Sequence, residues 1–385
     1  MTATPVVLET RPEHPPEGTA AAEVVSTDLR YLRDIAGSAT AADVDRSLSA
    51  SHPSLVDFAV LLSAPASERL EALAQKAHRI TKARFGATVR LFSPLYLSNE
   101  CVSTCTYCGF SAENEIHRRT LTPDELRAEA AELHRRGFRH LLLVSGEHAR
   151  IVSREYIEEC VAAVAQHFAQ VDVEVQVWDA DTYRRFGAAG ADGVIVYQET
   201  YDPATYASVH LKGKKRNYAW RLAAPDRAAA AGIRRLGIGA LLGLHPDWRS
   251  DAIALAAHGR ALIKRWWRCE VQVALPRLRP AAGGFEPVDP VSDADLVQLL
   301  CAMRIVLPDV GISLSTREPA ELRDALVPLG VTAMSAGSHT EPGGYADESD
   351  AEPQFEISDR RSPADVAAAL RAAGYDPVWK DWQRA

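Results

Sequence analysis

The spacing of apolar side chains along the chain changes character near Gly86. Before that point apolar residues recur three and four apart. Thr40-Ala-Ala-Asp-Val-Asp45 precedes one such segment, and Leu55 to Leu62 and Leu70 to Ile80 each put their apolar residues on one helical face. Two or three helices packed ahead of the main domain are predicted. After Gly86 short apolar runs alternate with helical stretches. The runs are Val89–Leu97, Arg139–Val144, Val171–Val177, Gly193–Tyr197, Leu236–Leu242, Glu270–Leu275, Gly311–Ser315 and Val331–Met334. One intervening helix carries both its start and its stop. Thr122-Pro-Asp-Glu125 is a capping box with proline at the first helical position, and Gly137 after Arg135 and Arg136 is a C-terminal stop. Parallel strands need helical crossovers and eight of them can close, so the pattern predicts a (β/α)8 barrel, with a doubly wound open sheet as the competing architecture.

The flanks read differently. Residues 1–25 are rich in Pro, Glu, Thr and Ala without apolar period and are expected to be a disordered leader. The remainder divides into a helical segment (26–85), the barrel (86–340) and a C-terminal extension (341–385). In that extension an acidic, flexible connector is expected from Tyr345 to Pro353. A capped helix then starts at Ser362-Pro-Ala-Asp365, stops at Gly374 and leads into the aromatic tail Val378-Trp-Lys-Asp-Trp382.

At 385 residues, with 47% hydrophobic and 24% charged positions, the chain has ample material for a large core. A net charge of −8 argues against a general nucleic-acid binder, which needs a basic surface. No apolar run reaches the ~18 residues of a membrane helix, and the N-terminus lacks the charged and apolar regions of a signal peptide, so a cytoplasmic, membrane-free protein is expected.

The densest chemistry is Cys101-Val-Ser-Thr-Cys105-Thr-Tyr-Cys108, directly after the first strand. A zinc ribbon needs a second Cys/His pair at similar spacing, and a ferredoxin-type carrier needs four cysteines per cluster. Neither is supplied by Cys160, Cys269 and Cys301, which stand alone in apolar or helical stretches and read as small buried hydrophobes. Nor is the triplet a packing feature, because Asn99, Glu100, Ser103 and Thr104 surround it. Three thiolates on one loop hold three irons of a [4Fe–4S] cube and leave the fourth open, the arrangement of radical S-adenosylmethionine (SAM) chemistry. A non-catalytic Fe–S carrier and degenerate zinc binding are the competing classes.

In a barrel, catalytic residues gather at the C-terminal ends of strands. Polar residues do follow the runs: the cysteine loop after the first, Ser145-Gly-Glu147 after the second, Gln198-Glu199-Thr200 after the fourth, Pro276-Arg-Leu-Arg-Pro280 after the sixth, Thr316-Arg-Glu318 after the seventh and Ser335-Ala-Gly-Ser338 after the eighth. Glu147 suits the methionyl ammonium of SAM, with Gly146 beside it for close backbone approach; the competing reading is a surface carboxylate. Gln198 and Glu199 suit the ribose hydroxyls, and Gly237-Ile-Gly239-Ala-Leu-Leu-Gly243 suits the adenine. Arg317 and Arg279 are forks for a carboxylate, competing with ion pairs to Glu318 and Asp289. His148, His245 and His339 are candidate proton carriers.

Beyond single residues, Pro94-Leu-Tyr-Leu-Ser-Asn-Glu-Cys101, Cys105-Thr-Tyr-Cys-Gly-Phe110, Leu141-Leu-Leu-Val-Ser-Gly-Glu-His148, Tyr197-Gln-Glu-Thr-Tyr201 and His210-Leu-Lys-Gly-Lys-Lys215 resemble the radical SAM tyrosine lyase family of thiamine biosynthesis, the 2-iminoacetate synthases. Pro276-Arg-Leu-Arg-Pro280, Leu314-Ser-Thr-Arg-Glu318, Pro342-Gly-Gly-Tyr-Ala346 and Pro377-Val-Trp-Lys-Asp-Trp382 carry the resemblance through Trp382. It implies a [4Fe–4S] cluster on Cys101, Cys105 and Cys108. It implies SAM contacts from Glu147, Gln198, Glu199, Arg221 and Gly239, and an amino-acid site with Arg317, Ser335 and Arg279. The implied reaction splits the Cα–Cβ bond of L-tyrosine into 2-iminoacetate and p-cresol. Electrons would come from a flavodoxin or ferredoxin-type reductant, and the imine would pass to thiazole synthase. The related hydrogenase-maturation lyase has a C-terminal second cysteine motif without counterpart here. The tryptophan lyase of indolic-acid biosynthesis shares Pro-Arg-Leu-Arg-Pro but lacks Pro-Gly-Gly-Tyr and the Trp-Lys-Asp-Trp tail, which favours tyrosine.

Overall fold

The computed structural model describes residues 13–380. Eight parallel strands form a ring: β1 (Thr88–Ser98), β2 (His140–Ser145), β3 (Gln170–Glu174), β4 (Gly193–Glu199), β5 (Arg235–Ala240), β6 (Glu270–Ala274), β7 (Gly311–Leu314) and β8 (Ala333–Ser335). Each pairs with the next. β8 returns to β1 through Arg90↔Ala333, Leu91↔Met334 and Phe92↔Ser335, so the sheet is a closed barrel and the open alternative falls away. The predicted runs match these strands to within a few residues, and helices occupy the crossovers. In the helix Pro123–Arg135 the Thr122 and Glu125 side chains accept each other's backbone N–H, as the capping box requires.

Four expectations need correction. The leader does not extend to residue 25, because Ala20–Val25 is a helix that buries Ala20, Ala21 and Val24. Its first N–H groups, from Ala20 and Ala21, donate to the two carboxylate oxygens of Asp226 at 3.0 and 3.1 Å. That cap lies 206 positions away, so local composition gives no sign of it. Residues 1–12 of the expected leader lie outside the described residues. The helical segment also holds more than three helices, since Leu29–Ser38 precedes Ala41–Ser49, Leu55–Leu61 and Leu70–Phe85.

The acidic connector is tied down, with Arg136 donating to Tyr345 O at 2.8 Å and Arg119 to Ser349 Oγ at 3.3 Å, and the segment after it, 354–358, is a strap across the C-terminal mouth of the barrel. Backbone N–H groups of Gln354, Glu356 and Ser358 donate to the carbonyls of Thr340, Pro280 and Thr316, and Gly109 N–H donates to Gln354 O. Finally, the extension is not separate from the barrel. Its helix Pro363–Ala372 follows β8 as the eighth crossover helix would, and β9 (Asp376–Val378) pairs with the start of β1. Trp379 packs edge-on against Phe138 at 5.3 Å, whereas Trp382 lies outside the described residues.

The barrel interior is layered by the two-residue alternation of its strands. At the N-terminal end Arg90 and Arg235 converge on Glu270, with Asp172 and His140 beside them. Burial pushes the Asp172 carboxyl up to about 6 and the His140 imidazole down to about 3. At the opposite end a fully buried pair, Arg323 and Asp359, clamps the strap to β8, with the Arg323 guanidinium also donating to Ser335 O. Truncating Arg323 to alanine leaves Asp359 to Arg361, whose guanidinium also reaches it at 2.8 Å, but removes the donor that holds Ser335 O. The expected loss is about 1–3 kcal/mol of stability, read as a lowered denaturant midpoint; an unchanged midpoint would contradict this role for the pair.

Candidate active site

The cysteine loop is pinned on both sides. Thr104–Cys105 pairs antiparallel with His210–Lys212 from the segment after β4, and Val102 N–H donates to Glu147 O at 2.9 Å. Within the loop Tyr107 Oη hydrogen-bonds His210 Nε2 at 2.8 Å while His210 Nδ1 donates to Tyr206 O at 2.8 Å. Burial pushes the His210 pKa down to about 2, so the ring is neutral and accepts from the tyrosine. Gly146 lets β2 approach this loop. A Cβ there would stand 2.3 Å from Glu100 O and 3.3 Å from Cys101 Cβ. Gly146→Ala is therefore expected to displace the Cys101 turn and to lower iron and sulfide content after reconstitution several-fold, with the melting temperature little changed. Wild-type iron content in that variant would sink the argument.

All three cysteines are free thiols. Ser103 N–H points at Cys101 Sγ at 3.4 Å, and Gln354 Nε2 lies 3.7 Å from Cys108 Sγ. Among the described residues no three His, Cys, Asp or Glu side chains gather as donors to one metal ion. Three free thiols on one loop suit a cluster, where each sulfur takes a different iron, and the soft donor set suits iron–sulfur chemistry.

Beside the loop lies a buried charge quartet. Arg221 Nη1 donates to Glu147 Oε1 at 3.1 Å, Ser103 Oγ to Glu147 Oε2 at 3.3 Å, and Lys215 Nζ to Glu199 Oε1 at 2.8 Å. Arg221 is also fixed by its Nε to Tyr197 O at 2.8 Å. Burial and Arg221 oppose the charge on Lys215, but Glu199 and its acidic neighbours outweigh them and hold the ammonium above its ordinary range. Glu147 is thus no surface carboxylate. Glu199 has φ 70°, the left-handed region, and among the described residues no other non-glycine has positive φ. Such strain costs on the order of 1–3 kcal/mol and concentrates at functional sites.

From the quartet a cleft of about 1130 Å³, open mouth included, runs into the barrel and under the strap. Cys108, Tyr107, Lys215 and Glu199 line it together with Arg279, Arg317 and Ser335. The Arg317 guanidinium lies 3.4 Å from the centre of the Phe355 ring. Glu318 pairs with Arg277 and Asp289 accepts from Trp248 N–H, so the carboxylates that competed for Arg317 and Arg279 are engaged elsewhere. Arg279 Nε is buried without a partner. Ser335 Oγ accepts from Thr316 N–H at 3.2 Å, which leaves its proton for another acceptor.

Several expected residues sit differently. Gln198 falls on the opposite face of β4 from Tyr197 and Glu199, as strand alternation dictates. Its amide is buried without partners away from the cleft wall. Gly239 serves packing: a Cβ there would meet the Tyr197 ring at 2.7 Å and Ala274 O at 2.9 Å. His148 Nδ1 accepts from Ile151 N–H, His245 Nδ1 bonds the Asp247 backbone and His339 Nδ1 bonds Glu341, so all three are tied locally. Glu174, Gln354 and Phe355 are cleft residues that sequence reasoning missed. For Glu174 a signal existed, an acidic residue at a strand end; for the strap residues none did.

Among known families, residues 95–256 match the radical SAM superfamily and residues 274–376 the biotin and thiamin synthesis associated domain. Similarity to curated proteins is higher still. The chain is 48% identical to 2-iminoacetate synthase of Escherichia coli and 46% identical to that of Salmonella typhimurium, in each case over 89% of this chain and 91% of the relative. A crystal structure of HydG, a maturase of the [FeFe]-hydrogenase, superimposes with TM-score 0.87 at 31% identity, covering 93% of this chain and 80% of that one. The chain therefore belongs to the 2-iminoacetate synthase family, radical SAM enzymes that use a [4Fe–4S] cluster and SAM. No described helix is long and apolar enough to cross a membrane.

Proposed function

We propose that the protein is a radical SAM lyase that cleaves the Cα–Cβ bond of L-tyrosine to 2-iminoacetate and p-cresol. The observation carrying this reading is the continuity of the site: free thiols, a buried charge quartet and an arginine-walled cleft share one end of a closed barrel. Cys101, Cys105 and Cys108 would hold the cluster, which with SAM supplies a hydrogen-abstracting radical at this end of the barrel. Glu147 accepts the methionyl ammonium and Glu199 faces the ribose, while Arg221 holds both carboxylates in place. Arg317 clasps the substrate carboxylate as a fork, with Ser335 donating its free proton and Arg279 adding a second cation. The strap covers the mouth and excludes water from the reacting centre.

Electrons are proposed to come from a flavodoxin or ferredoxin-type reductant, and the imine to pass to thiazole synthase. A reducing cytoplasm suits the free thiols. The test is anaerobic incubation of the iron-reconstituted protein with dithionite, SAM and L-tyrosine, followed by mass spectrometry. 5′-Deoxyadenosine, p-cresol and glyoxylate, the hydrolysis product of the imine, are expected. Deoxyadenosine without p-cresol would assign another substrate, and neither product from a cluster-loaded sample would favour an Fe–S carrier.

A further inference from the structure

On the tyrosine-lyase reading, the family resemblance implies that the radical takes its hydrogen from the amino nitrogen of tyrosine, and that step has a proton requirement. An ammonium has no lone pair to delocalise a developing radical, so the nitrogen must first become a neutral amine, and a carboxylate lining the cleft is the acceptor nearest to that proton. Three carboxylates line the cleft: Glu174, Glu199 and Glu318. Glu199 is engaged by Lys215 at 2.8 Å and Glu318 is gripped by the Arg277 guanidinium. Among the described residues no histidine lines the wall. Among the described residues no side chain hydrogen-bonds or ion-pairs with Glu174.

Its position fits as well. β3 stands opposite β7 in the ring, and Glu174 ends β3 as Arg317 follows β7. It is electrostatically coupled to Glu199 and to Arg317, which line the same cleft. A substrate with its carboxylate on Arg317 and its nitrogen toward SAM carries the ammonium through the region between them. Resting on the tyrosine-lyase reading above, we propose that Glu174 is the acceptor of the substrate's α-ammonium proton. One N–H bond breaks and one O–H bond forms, no electron changes hands, and the products are the neutral amine and the Glu174 carboxylic acid.

The groups facing Glu174 are Tyr96 from β1, Tyr197 and Glu199 from β4, Lys215, Arg221 and Arg317. Burial, with Glu199 adding to it, pushes the carboxyl up to about 7 against the pull of Arg317. Below that pH the acid form has no capacity for a proton, so kcat/KM for p-cresol formation should rise with pH through neutrality.

The experiment compares the reconstituted wild type with Glu174→Gln and Glu174→Asp. The glutamine variant is expected to lose about a hundredfold in kcat/KM together with the limb near neutrality, and the aspartate variant to keep the limb at an intermediate rate. A second arm needs no turnover. With SAM present and no reductant, Glu174→Gln should weaken binding of L-tyrosine but not of 3-(4-hydroxyphenyl)propanoate, which lacks the amine. A wild-type rate and pH limb in Glu174→Gln, or equal weakening of both ligands, would overturn the assignment. Absence of p-cresol from the wild type itself would instead overturn the tyrosine-lyase reading on which the assignment rests.

Discussion

Cys105→Ala is expected to fold, to reconstitute colourless and to form no deoxyadenosine. Cys105 is buried in the short antiparallel pairing with His210–Lys212, where alanine keeps the backbone pairing and removes only the sulfur. The two remaining thiols hold at most two irons of the cube. The measurement is iron and sulfide per chain with the visible spectrum, beside a melting curve; a brown, iron-loaded variant would refute the assignment. The apoprotein thiols add a pH dependence. Burial, with Glu147 and Cys108 adding to it, pushes the Cys101 pKa up to about 11, and burial raises Cys105 further. Both are protonated at neutral pH, so cluster assembly must displace their protons. Apparent cluster affinity should therefore increase as pH rises toward that value, and reconstitution should acidify a weakly buffered solution.

Arg317→Ala is expected to separate SAM cleavage from lysis of tyrosine. Arg317 follows β7, outside the cysteine loop, and stacks on Phe355, so its removal takes away none of the three thiols. The substrate carboxylate loses its fork inside a desolvated cleft. Truncating one partner of such a pair costs about 2–5 kcal/mol, or roughly 30- to 4000-fold in kcat/KM. Cluster content should match the wild type, deoxyadenosine should persist at a low uncoupled rate, and p-cresol should fall by that factor. Arg317→Lys should recover only part of it, because an ammonium cannot present two parallel donors. An Arg317→Ala protein with normal tyrosine kinetics would move the carboxylate site elsewhere, with Arg279 the next residue to vary.

The sequence carried the barrel because each unit is written locally. An apolar run, a capped helix and a stop such as Gly137 together encode one βα repeat, and eight repeats can close. The cysteine spacing was legible for the same reason, since all three ligands lie within one loop. Arg317 and Glu147 were legible as polar residues at strand ends, but their partners were not. Whether Glu318 paired with Arg317 or with Arg277 depended on which side chains the ring brought together. Gln198 was misplaced because a two-residue alternation assigns faces only once a strand's register is known.

By itself the sequence determined the eightfold alternation of strand and helix, the cysteine loop at the C-terminal end of its first strand and the resemblance that points to tyrosine lysis, while the β8–β1 pairing that closes the barrel came from the structure. Only the tertiary structure decided which charges are spoken for and which are free. Asp226 caps a helix from 206 residues away, the segment after an acidic stretch becomes a strap over the site, and Glu174 has no side-chain partner among the described residues while Glu199 and Glu318 are held. The physical reason is range. Helix caps, strand periods and loop ligands are contacts between near neighbours in the chain, whereas the pairing of buried charges is settled by desolvation and proximity across the barrel.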